Sequence, residues 1–251
     1  MRSSFRRDVT VGHDSCVFAL TSVKQAGCAL ELEPGSAPWV EAVQRGDFLP
    51  VGLAGDRGGT CVRLLIETPL SGQEEEEWVD QFSGRLTVPD GRLVVCGSTD
   101  FLDEQLFTDT DMVQELEVPD GSYRVDVYAC FVGINGPLLD SGAREAEGLE
   151  QVGAWFRRTR PGRRFPLWLR LHCYNDPAAD PGHECRWENS DREAGDLDQD
   201  EETSWVDFIV RLTQQEEPSG PTPLDEDGFV PIGVNPRLLE RCPLGLKARL
   251  S

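Results

Sequence analysis

The chain predicts a mainly β protein: an antiparallel β-sandwich built from hairpins, with a few short helices and an internal duplication as one reading of its pattern. Three features point there. Apolar residues recur with period 2 in short runs, Pro-Asp-Gly and Gly-rich turn signals separate those runs, and helical spacing is confined to two short pieces.

The first pair of elements is "VTVGHDSCVFALTS" at 9–22. It aligns without a gap on "LTVPDGRLVVCGST" at 86–99, setting Thr10 on Thr87, Val11 on Val88 and Val17 on Val94. Each copy has a short strand, a polar turn and a second apolar strand. In the second copy Pro presets φ and Gly tolerates positive φ, which is strong turn chemistry. A second hairpin follows in each unit, "FLPVGLAGDRGGTCVRLLIE" (48–67) corresponding loosely to "QELEVPDGSYRVDVYA" (114–129). The repeat units are then 5–69 and 82–135, although long β proteins reuse such turns without duplication.

Within the second unit Tyr123, Val125 and Val127 alternate with Arg124, Asp126 and Tyr128, as in a half-buried strand. Helices are expected at 37–46, where Gly35, Ser36 and Pro38 can open the first turn and Gly46 can close the last. A second is expected at 148–159, where Leu149, Val152, Trp155 and Phe156 recur at helical spacing. Further strands are expected near 165–174 and 204–212, with Val206, Phe208, Val210 and Leu212 on one face. Residues 1–217 are thus read as the sandwich domain and the proline-rich 218–251 as a C-terminal strap.

With 251 residues, 39% of them hydrophobic and 27% charged, the chain can bury a real core. The basic start "MRSSFRRDVTVGHD" lacks the apolar stretch of a secretory signal, and no apolar run is long enough for a membrane span. A cytoplasmic location is expected. Cys61, Cys96 and Cys130 lie in or beside apolar runs, and none of the eight cysteines forms a C-x-x-C pair, so they read as reduced, buried thiols.

The net charge of −21 is unevenly spread: −5 for 1–98, −11 for 99–154, +4 for 155–183, −9 for 184–217 and 0 for 218–251. Such a field repels nucleic acid and anionic lipid and attracts basic partners. The positive island is "WFRRTRPGRRF", whose Arg157, Arg158, Arg160, Arg163 and Arg164 are followed by Arg170. Guanidinium groups pair with carboxylates as readily as with phosphates, and "ECRWENSDREAGDLDQDEE" lies close by in sequence. The simplest expectation is an intramolecular clamp between the two; the alternative is an anionic-ligand module using Arg157–Arg164.

Catalytic signatures are sparse. There is no G-x-S-x-G elbow, Walker loop or dinucleotide-binding glycine motif, so the chain is read as a non-enzyme without cofactor. His172, Cys173, His183 and Cys185 supply donors suited to zinc, but their spacing matches no familiar finger; a metal-dependent hydrolase using this cluster is kept as an alternative. Asp196, Asp198 and Asp200 alternate as in calcium loops, yet Glu201 stands where an EF-hand needs glycine. This loop and "EEEEW" at 74–78 are read as solvated acidic faces.

The stretch "VPDGSYRVDVY" (118–128) resembles hairpins of the bacterial competence nuclease-inhibitor family and related small β-sandwich proteins. That resemblance implies a protein that binds and blocks a nuclease or toxin, in the manner of bacterial immunity proteins. The charge leads to the same expectation independently, because a nuclease surface is basic where it holds phosphates. The function expected is therefore an acidic immunity or inhibitor protein acting on a basic protein partner, without direct nucleic-acid or membrane contact. Its candidate contact region is "TDFLDEQLFTDTDM", with Asp100, Asp103, Glu104, Asp109 and Asp111 as carboxylates and Phe107 as an apolar anchor. Oligomeric state is left open.

Overall fold

The structure is a computed structural model in which residues 4–12, 17–26, 32–53, 59–97, 111–133, 152–163, 166, 205–215, 220–232, 237 and 239–249 are described. They form nine strands: β1 (Phe5–Gly12), β2 (Val17–Ser22), β3 (Phe48–Gly52), β4 (Gly59–Ile66), β5 (Trp78–Val88), β6 (Arg92–Cys96), β7 (Val113–Glu117), β8 (Gly121–Cys130) and β9 (Phe208–Gln214). The helices are α1 (Val23–Ala26), α2 (Ala37–Arg45), α3 (Gly72–Glu77) and α4 (Val152–Thr159). The protein is mainly β, as its turn-punctuated apolar runs require.

The strands make two sheets. One has the order β1-β4-β9-β8-β5 and is antiparallel except for the parallel pair β4·β9; the other is antiparallel in the order β3-β2-β6-β7. The sequence-expected hairpins at 9–22, 48–67, 86–99 and 114–129 do not pair internally. β1 bonds to β4 and β2 to β3, while β5 bonds to β8 and β6 to β7, so each of these connections carries the chain from one sheet to the other. The reason is physical: a Pro-Asp-Gly turn reverses direction, but apolar side chains on both flanking strands decide whether the strands pair edge to edge or face each other across a core.

Here they face each other. Val9, Val11, Val62, Leu64, Tyr123, Val125, Val127, Phe208, Val210 and Leu212 of the first sheet pack on Phe18, Leu20, Leu49, Val51, Leu93, Val95 and Leu116 of the second. The outer face of the smaller sheet is not left to water. Ala19, Phe48, Val94, Cys96 and Val113 lie under Trp39, Ala42 and Val43 of α2, which is why every residue of β2 is buried. Ser36 caps α2 by accepting from the Trp39 N–H, and Gly46 ends it in the left-handed conformation at φ 82°.

The outer face of the larger sheet is covered too. Cys61, Leu65, Tyr128, Cys130 and Ile209 pack with Val206 and Leu246. Val206 thus belongs to this outer cluster, a correction to the expectation that it shares a face with Phe208, Val210 and Leu212; it precedes β9, where strand alternation does not yet apply. Residues 220–232 run along the β3–β5 side, where Val230 bridges Val51 and is fully buried. Residues 239–249 cross the larger sheet. The expected strand at 165–174 lies outside the described residues, apart from Pro166. Among the described residues no helix is long and apolar enough to cross a membrane.

Candidate interaction surface

The acid run "EEEE" is not the solvated face expected of it. Ser71 caps α3 in a reciprocal box with Glu74, and helical spacing then puts Glu74 and Glu77 on one buried side while Glu75 and Glu76 stay exposed. Buried carboxylates need partners. Glu74 and Asp8 flank Arg63, which donates from Nε and Nη2 to Asp8 (both 2.7 Å) and from Nη1 to Glu74 (3.1 Å). Arg6 donates to the second Glu74 oxygen at 3.0 Å. Arg63 also reaches the Lys247 carbonyl at 2.9 Å, and Asp8 accepts the Arg249 N–H at 2.7 Å. Glu77 accepts the Leu244 and Gly245 N–H groups at 3.2 and 2.7 Å.

These carboxylates therefore fasten the C-terminal segment to β1, β4 and α3 and are not available to a ligand. Burial pushes the Glu77 carboxyl above the ordinary range against the effect of its two hydrogen bonds. Burial beside Asp207 and Asp8 likewise pushes the Cys61 thiol up to about 12, which keeps it an unreactive thiol. Cys61, Cys96, Cys130 and Cys242 are all buried and free of disulfides. Among the described residues no cluster of His, Cys, Asp and Glu could hold a metal ion.

The sequence-predicted contact residues fare differently. Asp100, Asp103, Glu104, Phe107 and Asp109 lie outside the described residues, as do His172, Cys173, His183, Cys185 and the acidic stretch 184–202. Asp111 is exposed in the turn just before β7, and its carbonyl accepts the Gly12 N–H at 2.6 Å. Of the arginine island, Arg157, Arg158 and Arg163 are exposed and Arg160 donates to the Cys242 carbonyl at 2.8 Å; Arg164 and Arg170 lie outside the described residues.

Past Asp111, Glu115 and Glu117 of β7 are also exposed. Their placement follows from strand alternation: Leu116 enters the core and its two neighbours point away from it. Arg92 takes Glu115 in a bidentate pair at 2.6 and 2.8 Å. Between β7 and β1 lies a cleft of about 690 Å³ lined by Phe5, Arg6, Arg7, Glu115, Leu116 and Glu117. The two edges touch at Gly12 and Asp111 and part toward Phe5 and Glu117. Arg7, Glu115 and Glu117 escaped the sequence reading; the alternation in "VQELE" places both acids on one face, but nothing in it marks the strand as an edge.

The chain is similar to the solved structure titled "Crocagin biosynthetic gene J", with 14% identity over 85% of this chain and 99% of that one and a TM-score of 0.41. It is also similar to ComJ, inhibitor of the DNA-degrading activity of NucA, from Bacillus subtilis, with 9% identity over 53% of this chain and 88% of that one and a TM-score of 0.34. No family model matches the sequence, and no curated protein matches it.

Proposed function

We propose that the protein is a non-enzymatic inhibitor that binds a basic protein, a toxin or nuclease, through the acidic residues of 99–111 together with those of β7. The observation that carries this reading is how the charges are used. Arg63, Arg6, Arg45, Arg92 and Arg124 are tied to the chain's own carboxylates, and Arg160 and Arg85 to its own carbonyls. With those cations engaged among the described residues, the net charge of −21 favours a cationic partner from outside. The sequence resemblance at 118–128 points to the same class of protein.

The test is affinity capture from the host followed by titration of the identified partner. Reversing Asp103, Glu104 and Asp109 to Lys should weaken binding by about tenfold or more, chiefly through the association rate. Unchanged affinity in a variant of unaltered melting temperature would refute this surface.

A further inference from the structure

We infer that the outer edge of β7 is a docking site for an extended segment of the basic partner, which adds to the sheet as a parallel strand. The inference rests on the inhibitor reading for the identity of the partner, but its geometry is independent.

The two units β1–β4 and β5–β8 have the same connectivity, and both sheets read alike from either end: β3-β2-β6-β7 in one, and β1-β4 against β5-β8 about a central β9 in the other. The gapless alignment that sets Thr10 on Thr87 and Val17 on Val94 also sets Ala19 on Cys96. Those two residues are partners in the β2·β6 register, so the register maps onto itself about an approximate two-fold. Val17 pairs with Gly52 and Val94 with Glu115; Ala19 pairs with Pro50 and Cys96 with Val113. Gly52 and Glu115 are therefore counterparts, and so are Pro50 and Val113.

On the β3 side the chain fills its own edge. The Val230 N–H donates to the Pro50 carbonyl at 2.9 Å, the Gly52 N–H donates to the Val230 carbonyl at 3.4 Å, and the Val230 side chain enters the core. On the β7 side no described residue takes the place that Val230 takes on β3. Gly97 donates to the Met112 carbonyl and Val118 to the Gly91 carbonyl, so the even-numbered residues of β7 bond to β6. Val113, Glu115 and Glu117 turn their N–H and C=O groups the other way, and none of the described residues pairs with them. Beside them lies the cleft, with Phe5 and Leu116 on its walls where an apolar side chain would sit as Val230 does.

Charge selects the occupant. The Glu117 carboxylate is exposed and without a described partner, so a lysine or arginine on the incoming strand would complement it. A second copy of this chain pairing edge to edge through β7 would set glutamates against glutamates, which disfavours self-association. The occupant is thus an extended segment with an apolar residue for the cleft and a basic residue for Glu117, the mode of recognition known as strand addition.

A peptide alternating valine and lysine is a suitable probe, with a valine–glutamate peptide as its counterpart, each titrated into the full ¹⁵N-labelled chain. The valine–lysine peptide should bind, shift the Val113, Glu115 and Glu117 amides, and slow exchange of the Glu115 amide. Glu115→Pro removes that edge N–H, where proline is tolerated, and should weaken binding by roughly tenfold. Glu115→Ala keeps the N–H and should bind within about twofold of the parent, which separates the edge from the Arg92 ion pair. Glu117→Lys should transfer preference to the valine–glutamate peptide. The inference is overturned if neither peptide binds, if Glu115→Pro binds as well as the parent, or if the edge amides are already protected in the free chain by itself or a second copy. Peptide binding that survives while the Asp103, Glu104 and Asp109 reversals leave protein capture unchanged overturns the inhibitor surface alone.

Discussion

Arg63 stands where β1, β4, α3 and the C-terminal segment meet, with 8% of its side chain exposed and its charge shared between Asp8 and Glu74. A buried guanidinium held by two carboxylates and a carbonyl contributes little when complete but is costly to break, because its partners are left charged in a low-dielectric site. Arg63→Met should therefore destabilise the protein by about 3–5 kcal/mol, read as a lowered midpoint in urea unfolding. Glu77 behaves differently. Its folded-state pKa lies above the ordinary 4.5, so the folded state takes up the proton more readily than the unfolded chain. Its contribution to stability is greatest below 4.5 and is lost as pH rises through the raised value. The stability difference between the parent and Glu77→Gln should accordingly move against the parent as pH climbs through that window, and a pH-independent difference would contradict the assignment.

At the scale of elements, α2 shows how local signals act through tertiary contacts. Gly46 closes the helix at φ 82°, and its carbonyl accepts the Thr87 N–H at 2.8 Å, so the cap also fastens α2 to β5. Gly46→Ala should cost about 1 kcal/mol from the left-handed conformation alone, and more because an added Cβ would crowd the backbone of Leu86 and Thr87. Thermal unfolding measures this directly. Both ends of α2 were legible in the sequence, since cap chemistry is local. The fate of "EEEE" was not: whether an acid run is solvated depends on what crosses above it, and here that is residues 244–249 from the far end of the chain. The same limit hid the strand pairings, because a turn's residues specify a reversal and not which sheet receives the next strand.

At the scale of the whole molecule, most of the net charge lies in residues other than the described ones. The described residues include 17 Lys and Arg against 21 Asp and Glu, a balance of −4, which leaves −17 of the total −21 to the remaining residues. Most of the charge that would steer a basic partner therefore belongs to residues other than the described ones, while the β7 edge offers directional hydrogen bonds. Steering by such a field is screened within about 10 Å at 0.1 M salt. Raising salt from about 50 to about 300 mM should slow partner association severalfold while changing dissociation much less. An association rate indifferent to salt would remove the electrostatic basis of the proposed function.

The sequence by itself determined the mainly β class, the ends of α2, the inward face of Tyr123, Val125 and Val127, the buried thiols and the sign of the field, because each depends on residue type and short-range spacing. Only the tertiary structure decided which strands pair, which carboxylates are sealed under the C-terminal segment, and which sheet edge the chain covers for itself. Those outcomes depend on residues far apart in sequence competing for the same surface, and no local pattern records which of them wins.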